Sequence, residues 1–150
     1  MKIKNYRFGF DIWGLAIFLI IMIPNFIWFA VPAPNDILRT ESKTAVIDTV
    51  GSVCQALFAA ALCLIVNKNC GKLRVTPKII ASACCILIYF LGWGLYYAGI
   101  TAPFVIISLT MPPCLAFLFF ALDRKNYIAV IFTAAFTMCH FIYGTVNFIL

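Results

Sequence analysis

Apolar runs of about 20 residues recur five times along this 150-residue chain, with only short polar segments between them. That length allows an α-helix to cross a hydrocarbon core roughly 30 Å thick. Lipid offers the backbone no hydrogen-bond partner, so only helices or a closed barrel can span it. The runs are continuous and do not alternate polar with apolar residues, which favours helices over a barrel.

We therefore predict an all-α integral membrane protein with a single five-helix transmembrane domain over residues 1–150. The first run is longer than the roughly 7–15 residues of a signal-peptide core, so we interpret it as a transmembrane helix. Short connections after the third and fourth runs predict that the last three helices are antiparallel neighbours. The predicted helices cover about 12–31, 45–66, 79–98, 102–122 and 127–150.

The composition fits a chain whose main solvent is lipid. Hydrophobic residues make up 65% of the sequence and charged residues 11%, whereas a soluble domain needs more charge on its surface. The net charge of +6 comes from Lys and Arg residues between the apolar runs, where they orient the protein and can contact anionic headgroups. We expect the lipid bilayer as a partner and no nucleic acid, because no basic face with interleaved aromatic residues is present.

The basic residues predict the orientation. An N-terminus in the cytoplasm leaves only Arg39 and Lys43 on the outer side, against nine basic residues on the inner side. This is a strong positive-inside bias, so we predict a cytoplasmic N-terminus, an outer C-terminus and a location in a bacterial plasma membrane. The nine are Lys2, Lys4, Arg7, Lys68, Lys72, Arg74, Lys78, Arg124 and Lys125.

Polar residues within the apolar runs share one depth when this orientation is applied. Intramembrane polar groups are costly and usually point into the bundle or toward water. We therefore predict an outward-facing, polar ligand-binding pocket. Its proposed lining residues are Asn25, Asp48, Gln55, Ser108, His140 and Tyr143. An aromatic belt is predicted at the same outer edge, formed by Trp28, Trp93, Tyr96 and Tyr97.

Each pocket residue also has a structural interpretation. His140 could donate a hydrogen bond to a neighbouring helix instead of titrating or binding a ligand. Asp48 could be stabilised by the dipole of the second helix, near whose start it lies. Asn25 could re-satisfy the backbone that Pro24 disrupts. The sequence leaves these alternatives open.

Prolines are predicted to break or kink two helices. Pro24 lies in the first apolar run, and Pro112 and Pro113 lie in the middle of the fourth. Each removes a backbone donor inside a helix. Interrupted helices near the midplane often line transporter binding sites, although a static kink is the commoner outcome.

Residues 32–44 form the polar connection between the first and second runs. Pro32, Pro34 and the Asn35-Asp36 pair predict a turn, followed by a short helical segment near Asp36. Ser42 or Thr44 is expected to cap the second helix, and Thr101 before Pro103 the fourth. Whether this connection covers the pocket or only turns the chain is open.

Catalytic and metal-binding patterns are absent from the sequence. It has no nucleophile elbow, P-loop or paired carboxylates within one run. The single histidine leaves no second nitrogen ligand for haem, and the seven cysteines include no Cys-x-x-Cys pair. We therefore expect no catalytic residue, no metal site and no cofactor.

Three functions remain, in order of preference. The first is binding or transport of a small-molecule ligand in the outward-facing pocket. The second is a non-catalytic accessory or sensor subunit, which would dock a membrane partner subunit or a second copy of the chain through 32–44 or 67–78. The third is a membrane enzyme that acts on a lipid or quinone through His140 and Asp48.

Overall fold

The computed structural model describes residues 3–150 and contains the five predicted helices. Their ends lie within two residues of the predicted positions. A short antiparallel ribbon of two strands joins the N-terminal segment to the residues after the second helix. The elements are β1 (Tyr6–Phe8), α1 (Ile12–Ala30), α2 (Ala45–Leu64), β2 (Ile65–Asn67), α3 (Pro77–Tyr97), α4 (Pro103–Asp123) and α5 (Tyr127–Phe148).

All five helices are long and apolar enough to cross a bilayer. Large apolar side chains point away from the bundle on every helix; Leu91 is 69% exposed and Ile131 is 58% exposed. Such a surface is unfavourable in water and favourable in lipid. The chain therefore has the properties of a membrane-embedded helical bundle.

The helices run alternately up and down. At one end, the start of α1 contacts the end of α2, through a bond from the Asp11 amide to the Cys63 carbonyl. At the other end, the Lys43 amide donates to Asn147 near the end of α5. We name these the Asp11 end, which carries residues 3–11, 65–76 and 124–126, and the Asp36 end, which carries residues 31–44 and 98–102.

Helix α4 is the centre of the bundle. Of its apolar window, 56% is buried, compared with 22–28% in the other four helices. It packs between α3 and α5, and α2 packs on the far side of α5. In the half of the bundle nearer to the Asp11 end, the fully buried ring of Phe58 contacts Phe117 and Phe136. The ring centroids are 4.9 and 5.2 Å from that of Phe58. These three rings join α2, α4 and α5 in one core.

Helix α1 is peripheral except at one close crossing. A Cβ added to Gly14 would lie 2.4 Å from the Leu62 carbonyl oxygen, so the α1 and α2 backbones touch there. Only Gly14, Ile17, Ile21 and Pro24 of α1 are buried. The rest of α1 therefore makes few contacts with the bundle.

The prolines do not interrupt their helices. Helix α1 continues through Pro24, and α4 continues through Pro112 and Pro113. A membrane helix tolerates proline because neighbouring groups and small local adjustments satisfy the freed carbonyls. Pro24 and Pro113 instead contribute apolar surface, since both are buried.

Seven of the ten helix ends differ from expectation by one or two residues, and two of these shifts have a clear cause. Helix α2 ends at Leu64 instead of 66, because Ile65–Asn67 pairs with β1. Helix α3 starts at Pro77, since Thr76 accepts a bond from the Ile79 amide as N-cap. Neither Ser42 nor Thr44 caps α2 with its side chain, and Ala102, not Thr101, is the N-cap of α4.

Candidate functional site

A cavity with polar groups in its lining lies inside the bundle near the Asp36 end. This space, the aromatic cavity, has a volume of ≈ 320 Å³ and is lined by all five helices. Phe117 and Phe136, which contact the core ring of Phe58, form part of its wall. No charged residue is among its lining residues. Its other aromatic walls are Trp28, Phe29, Tyr89, Trp93, Tyr143 and Phe148.

A second space, the Asp48 groove, lies between α2 and α5. Its volume is ≈ 250 Å³. Its lining is smaller and more polar than that of the aromatic cavity, with Asp48, Gly51 and Ser52 from α2 and Cys139 from α5. The groove therefore offers a carboxylate that the aromatic cavity lacks.

Four residues line both spaces and separate them: Gln55, Phe136, His140 and Tyr143. We name this set the partition. Phe136, His140 and Tyr143 follow each other at i, i+4 and i+7, so they lie on one face of α5. The His140 ring is nearly parallel to both neighbours, with centroids 5.0 Å from Phe136 and 6.0 Å from Tyr143. The partition is thus one stacked column from α5 plus Gln55 from α2.

The polar groups of the partition have no hydrogen bond to the protein within residues 3–150. This holds for the Gln55 amide, the His140 imidazole and the Tyr143 hydroxyl. Their polar atoms are not fully occluded, unlike Trp93 Nε1 and Thr133 Oγ1, which are both buried and unpaired. Polar groups at membrane depth are costly when unpaired. These three therefore present their hydrogen-bonding groups to the two spaces that they line.

Asn25 joins α1 to α3 across the aromatic cavity. Its Nδ2 donates to the Tyr89 hydroxyl at 2.7 Å, and Tyr89 is 2% exposed. Pro24 leaves the Ile20 carbonyl without its usual helical donor. The amide of Asn25 instead makes a longer contact, 3.4 Å, with the Ile21 carbonyl. The interhelical bond is therefore its main role in the fold, and repair of the backbone at Pro24 is not.

Asp48 has one structural partner. Its Oδ1 accepts a bond from the Thr44 hydroxyl at 2.8 Å, and that hydroxyl accepts one from Asn147 Nδ2 at 2.8 Å. Asp48 also lies in the first turn of α2, where the helix dipole favours a carboxylate. Within residues 3–150, however, ion pairs form only at Asp11 and Asp36. The charge of Asp48 therefore has no cationic partner in this part of the chain.

Ser108 lies outside both spaces. Its hydroxyl donates to the Val105 carbonyl at 2.6 Å, and its Oγ lies 2.1 Å from where a Cβ on Gly92 would be. It is a packing residue between α3 and α4. The structure thus brings together five of the six predicted pocket residues and distributes them over two adjoining spaces: Asn25, Asp48, Gln55, His140 and Tyr143.

Residues 31–44, the covering loop, close over the aromatic cavity. The loop contains a 3₁₀ turn at Ile37–Arg39, and Leu38 in that turn lines the cavity. Two further bonds fix its start: the Tyr97 hydroxyl donates to the Val31 carbonyl, and Asn35 Nδ2 donates to the Gly99 carbonyl. The loop is therefore more than a connection between two helices.

Asp36 is the centre of the hydrogen bonds that hold the covering loop. Its carboxylate accepts bonds from Trp28 Nε1 at 2.9 Å, the Tyr96 hydroxyl at 2.9 Å and Arg39 Nε at 2.9 Å. Burial raises the pKa of Asp36, but these bonds and one from the Ala33 backbone outweigh burial and leave the pKa below its ordinary 3.8. The Arg39 guanidinium also stacks over the Trp28 ring, 4.9 Å from its centroid. We call these four side chains the Asp36 cluster.

The predicted aromatic belt has a different role in the structure. Tyr96 is fully buried and Trp93 is 6% exposed, so neither contacts the membrane surface. The site also uses Tyr89, which is not among the predicted pocket or belt residues. Tyr89, Trp93 and Tyr96 are spaced at i, i+4 and i+7, which places them on one face of α3. That spacing was the available signal in the sequence of α3.

The site has no feature of a metal centre. Within residues 3–150, no three His, Cys, Asp or Glu side chains cluster in a way that could hold a metal ion. Its chemistry is that of an aromatic cavity with hydrogen-bonding groups on one wall and a carboxylate beyond that wall. No protein-family model, curated protein or solved structure matches the chain.

Proposed function

We propose that this chain is a multi-pass membrane protein that binds a small, mostly apolar ligand in the aromatic cavity, as a transport or receptor protein does. The ligand carries a polar group that hydrogen-bonds to the partition. The observation that supports this most strongly is the set of three unpaired polar side chains, Gln55, His140 and Tyr143, on one wall of an otherwise apolar space. A functional pocket has this combination of apolar walls and a few convergent polar groups.

The size of the cavity supports a small ligand. Ligand pockets typically measure about 300–1,000 Å³. The aromatic cavity, at ≈ 320 Å³, is at the lower limit. A single-ring molecule with a short polar arm fits that volume, whereas a lipid with two acyl chains does not. Flat faces from Trp28, Trp93 and Phe136 favour an aromatic ring.

We further propose that the Asp36 end is outside the cell. The segments at the Asp11 end hold nine basic residues, counting Lys2 and Lys78, and the covering loop holds two, Arg39 and Lys43. The positive-inside rule then puts the N-terminus in the cytoplasm of a bacterium and the covering loop on the outer surface of its plasma membrane. The ligand would reach the cavity from the outer side, past Leu38.

The test uses the single histidine of the chain as a reporter. The protein, labelled at histidine and reconstituted in zwitterionic nanodiscs, is titrated with 2-phenylethanol, and the imidazole NMR signals are followed. We expect a saturable shift, because His140 lines the cavity. A signal that does not shift, or that shifts linearly without saturation, would contradict the proposal.

Two methionine substitutions provide the matched pair. Met22→Trp places a large side chain at the cavity wall and should abolish the saturable shift. Met138→Trp makes the same change on α5 at a position that is 63% exposed, and should leave the shift intact. Equal effects of both substitutions would show that the shift does not report on the cavity.

A further inference from the structure

Asp48 differs from the other acidic residues of the chain in its surroundings. Asp11 pairs with Arg124, and Asp36 pairs with Arg39. Asp123 accepts a bond from the Thr76 hydroxyl, and Glu41 is exposed in the covering loop. Asp48 is the one acidic residue of 3–150 that lines either of the two described spaces. No Lys or Arg lines either of the two spaces beside it.

The carboxylate of Asp48 is incompletely satisfied. Thr44 bonds only its Oδ1, and no bond to Oδ2 is present within residues 3–150. The N-terminus of α2 supplies at most about half of an elementary positive charge. Asp48 is half-buried at the edge of a membrane bundle, so a net negative charge remains where solvation is reduced. A cation in the groove would compensate it.

The Asp48 groove and the aromatic cavity adjoin at a side chain that is free to rotate. Of the partition residues, His140 and Tyr143 are held in the stacked column of α5. Gln55 comes from α2, makes no hydrogen bond to residues 3–150 and has an unbranched, rotatable side chain. Gln55 is therefore the partition side chain that can most readily move aside to join the two spaces.

We propose that the ligand is an amphipathic monoamine whose ammonium group binds Asp48 in the groove and whose ring lies in the aromatic cavity. This inference rests on the proposed function and names the ligand class for the same site. The ammonium would donate to the free Oδ2 of Asp48. The arm between ammonium and ring would run past the rotated side chain of Gln55. Ammonium groups are also attracted to aromatic faces, and Tyr143 and Phe136 line both spaces.

The lining disfavours the other charge classes. A carboxylate ligand would meet Asp48 with no Lys or Arg to offset the repulsion. A neutral ligand fits the aromatic cavity but leaves the charge of Asp48 unpaired. A hydrogen-bonded ion pair between ligand and Asp48 should strengthen binding by about tenfold or more, which corresponds to ~1.4 kcal/mol.

The test compares three probes of similar shape on the wild-type protein. They are 2-phenylethylamine, which is cationic at neutral pH, neutral 2-phenylethanol and anionic 3-phenylpropionate. Each is titrated into the histidine-labelled protein in zwitterionic nanodiscs, and the Met22→Trp variant serves as the blank for partition into lipid. We expect the amine to bind about tenfold or more tightly than the alcohol, and the anion to bind most weakly.

The Asp48→Asn variant tests whether the charge of Asp48 causes the preference for the amine. This change keeps the shape and removes the charge, so amine affinity should fall to that of the alcohol while alcohol affinity stays the same. Glu41→Gln removes an exposed charge of the covering loop and should leave the amine preference intact. Circular dichroism and thermal unfolding establish that the Asp48→Asn, Glu41→Gln and Met22→Trp variants are folded.

The outcomes separate the two proposals. If the alcohol binds saturably and the amine binds no more tightly, the monoamine inference is overturned and the proposed function stands. Retention of the amine preference in folded Asp48→Asn would also overturn the inference. If no probe gives a saturable shift that Met22→Trp abolishes, both proposals are overturned.

Discussion

At the residue scale, the bond between Asn25 and Tyr89 connects the peripheral helix α1 to α3. It joins residues 64 apart in sequence at a distance of 2.7 Å. Tyr89 is almost completely buried, so its hydroxyl depends on this partner. An unpaired buried hydroxyl costs about 1–3 kcal/mol, more than a typical hydrogen bond contributes.

We predict that Asn25→Leu lowers the free energy of unfolding by about 1–3 kcal/mol, because it leaves the Tyr89 hydroxyl unpaired. Tyr89→Phe should cost less, since it removes the hydroxyl and keeps the ring. The double variant should be less destabilised than the sum of the two, by roughly 0.6–1.7 kcal/mol, the coupling typical of interhelical bonds in membranes.

Reversible unfolding in mixed micelles measures these three variants against the wild type. Additive losses would show that the two side chains are not coupled, and the bond would then carry no stability. Asn69, which is exposed after β2, gives a control substitution, Asn69→Leu, that should leave stability within about 0.5 kcal/mol.

At the element scale, the Asp36 carboxylate is the group that makes the most side-chain bonds to hold the covering loop. The Asp36 cluster ties the loop to α1 through Trp28 and to α3 through Tyr96. The Tyr96 hydroxyl also accepts a bond from the Leu38 amide at 3.2 Å, next to the side chain that lines the cavity. Loss of the Asp36 charge should therefore loosen the loop above the aromatic cavity.

We predict that Asp36→Asn speeds backbone hydrogen exchange in residues 31–44 by about tenfold or more at neutral pH. The physical reason is the loss of charge-assisted bonds, each of which contributes about 1.5–3 kcal/mol. Exchange measured by mass spectrometry on the reconstituted protein gives the result. Glu41→Gln changes an exposed carboxylate of the same loop and should leave exchange there unchanged.

The pH dependence follows from the lowered pKa of Asp36. A carboxyl group whose folded pKa is depressed stabilises the fold above its unfolded pKa, here the ordinary 3.8, and loses this effect as pH falls through the folded value. Protection of the loop, corrected for intrinsic exchange, should therefore be constant from neutral pH down to about this value and fall below it. Loss of protection already near neutral pH would contradict the assignment.

At the scale of the whole molecule, charge divides the protein into two ends. The Asp11 end combines basic residues with a rigid network, in which Asp11 caps α1 and pairs with Arg124. There Asn126 caps α5 and donates to the Ala61 and Ile65 carbonyls. The Asp36 end holds the covering loop and both spaces. The proposed ligand access from outside depends on this division.

We predict that a cysteine at position 41 is labelled by a membrane-impermeant maleimide in intact cells, and that a cysteine at position 71 is labelled only after permeabilisation. The changes Glu41→Cys and Gly71→Cys are made in a cysteine-free background. Both positions are exposed, and a Cβ at Gly71 meets no atom within 4 Å. The reverse pattern would invert the orientation, and equal labelling of both would exclude a single orientation.

The sequence by itself determined the membrane class, the five helices and their ends to within two residues. The physical reason is that lipid forces every spanning segment to satisfy its own backbone bonds, so length and hydropathy are sufficient. One of the larger boundary errors arose where a distant partner intervened, at Ile65–Asn67, which pairs with β1.

Tertiary structure decided how the polar residues are used. Depth alone could not separate Ser108, which packs on Gly92, from His140, which lines both spaces, because depth does not specify which side of a helix meets its neighbour. Nor could it show that Tyr96 turns inward to Asp36 and not outward to the membrane surface. Those choices depend on helix rotation and on contacts between residues 60 or more apart, and only the packed bundle sets them.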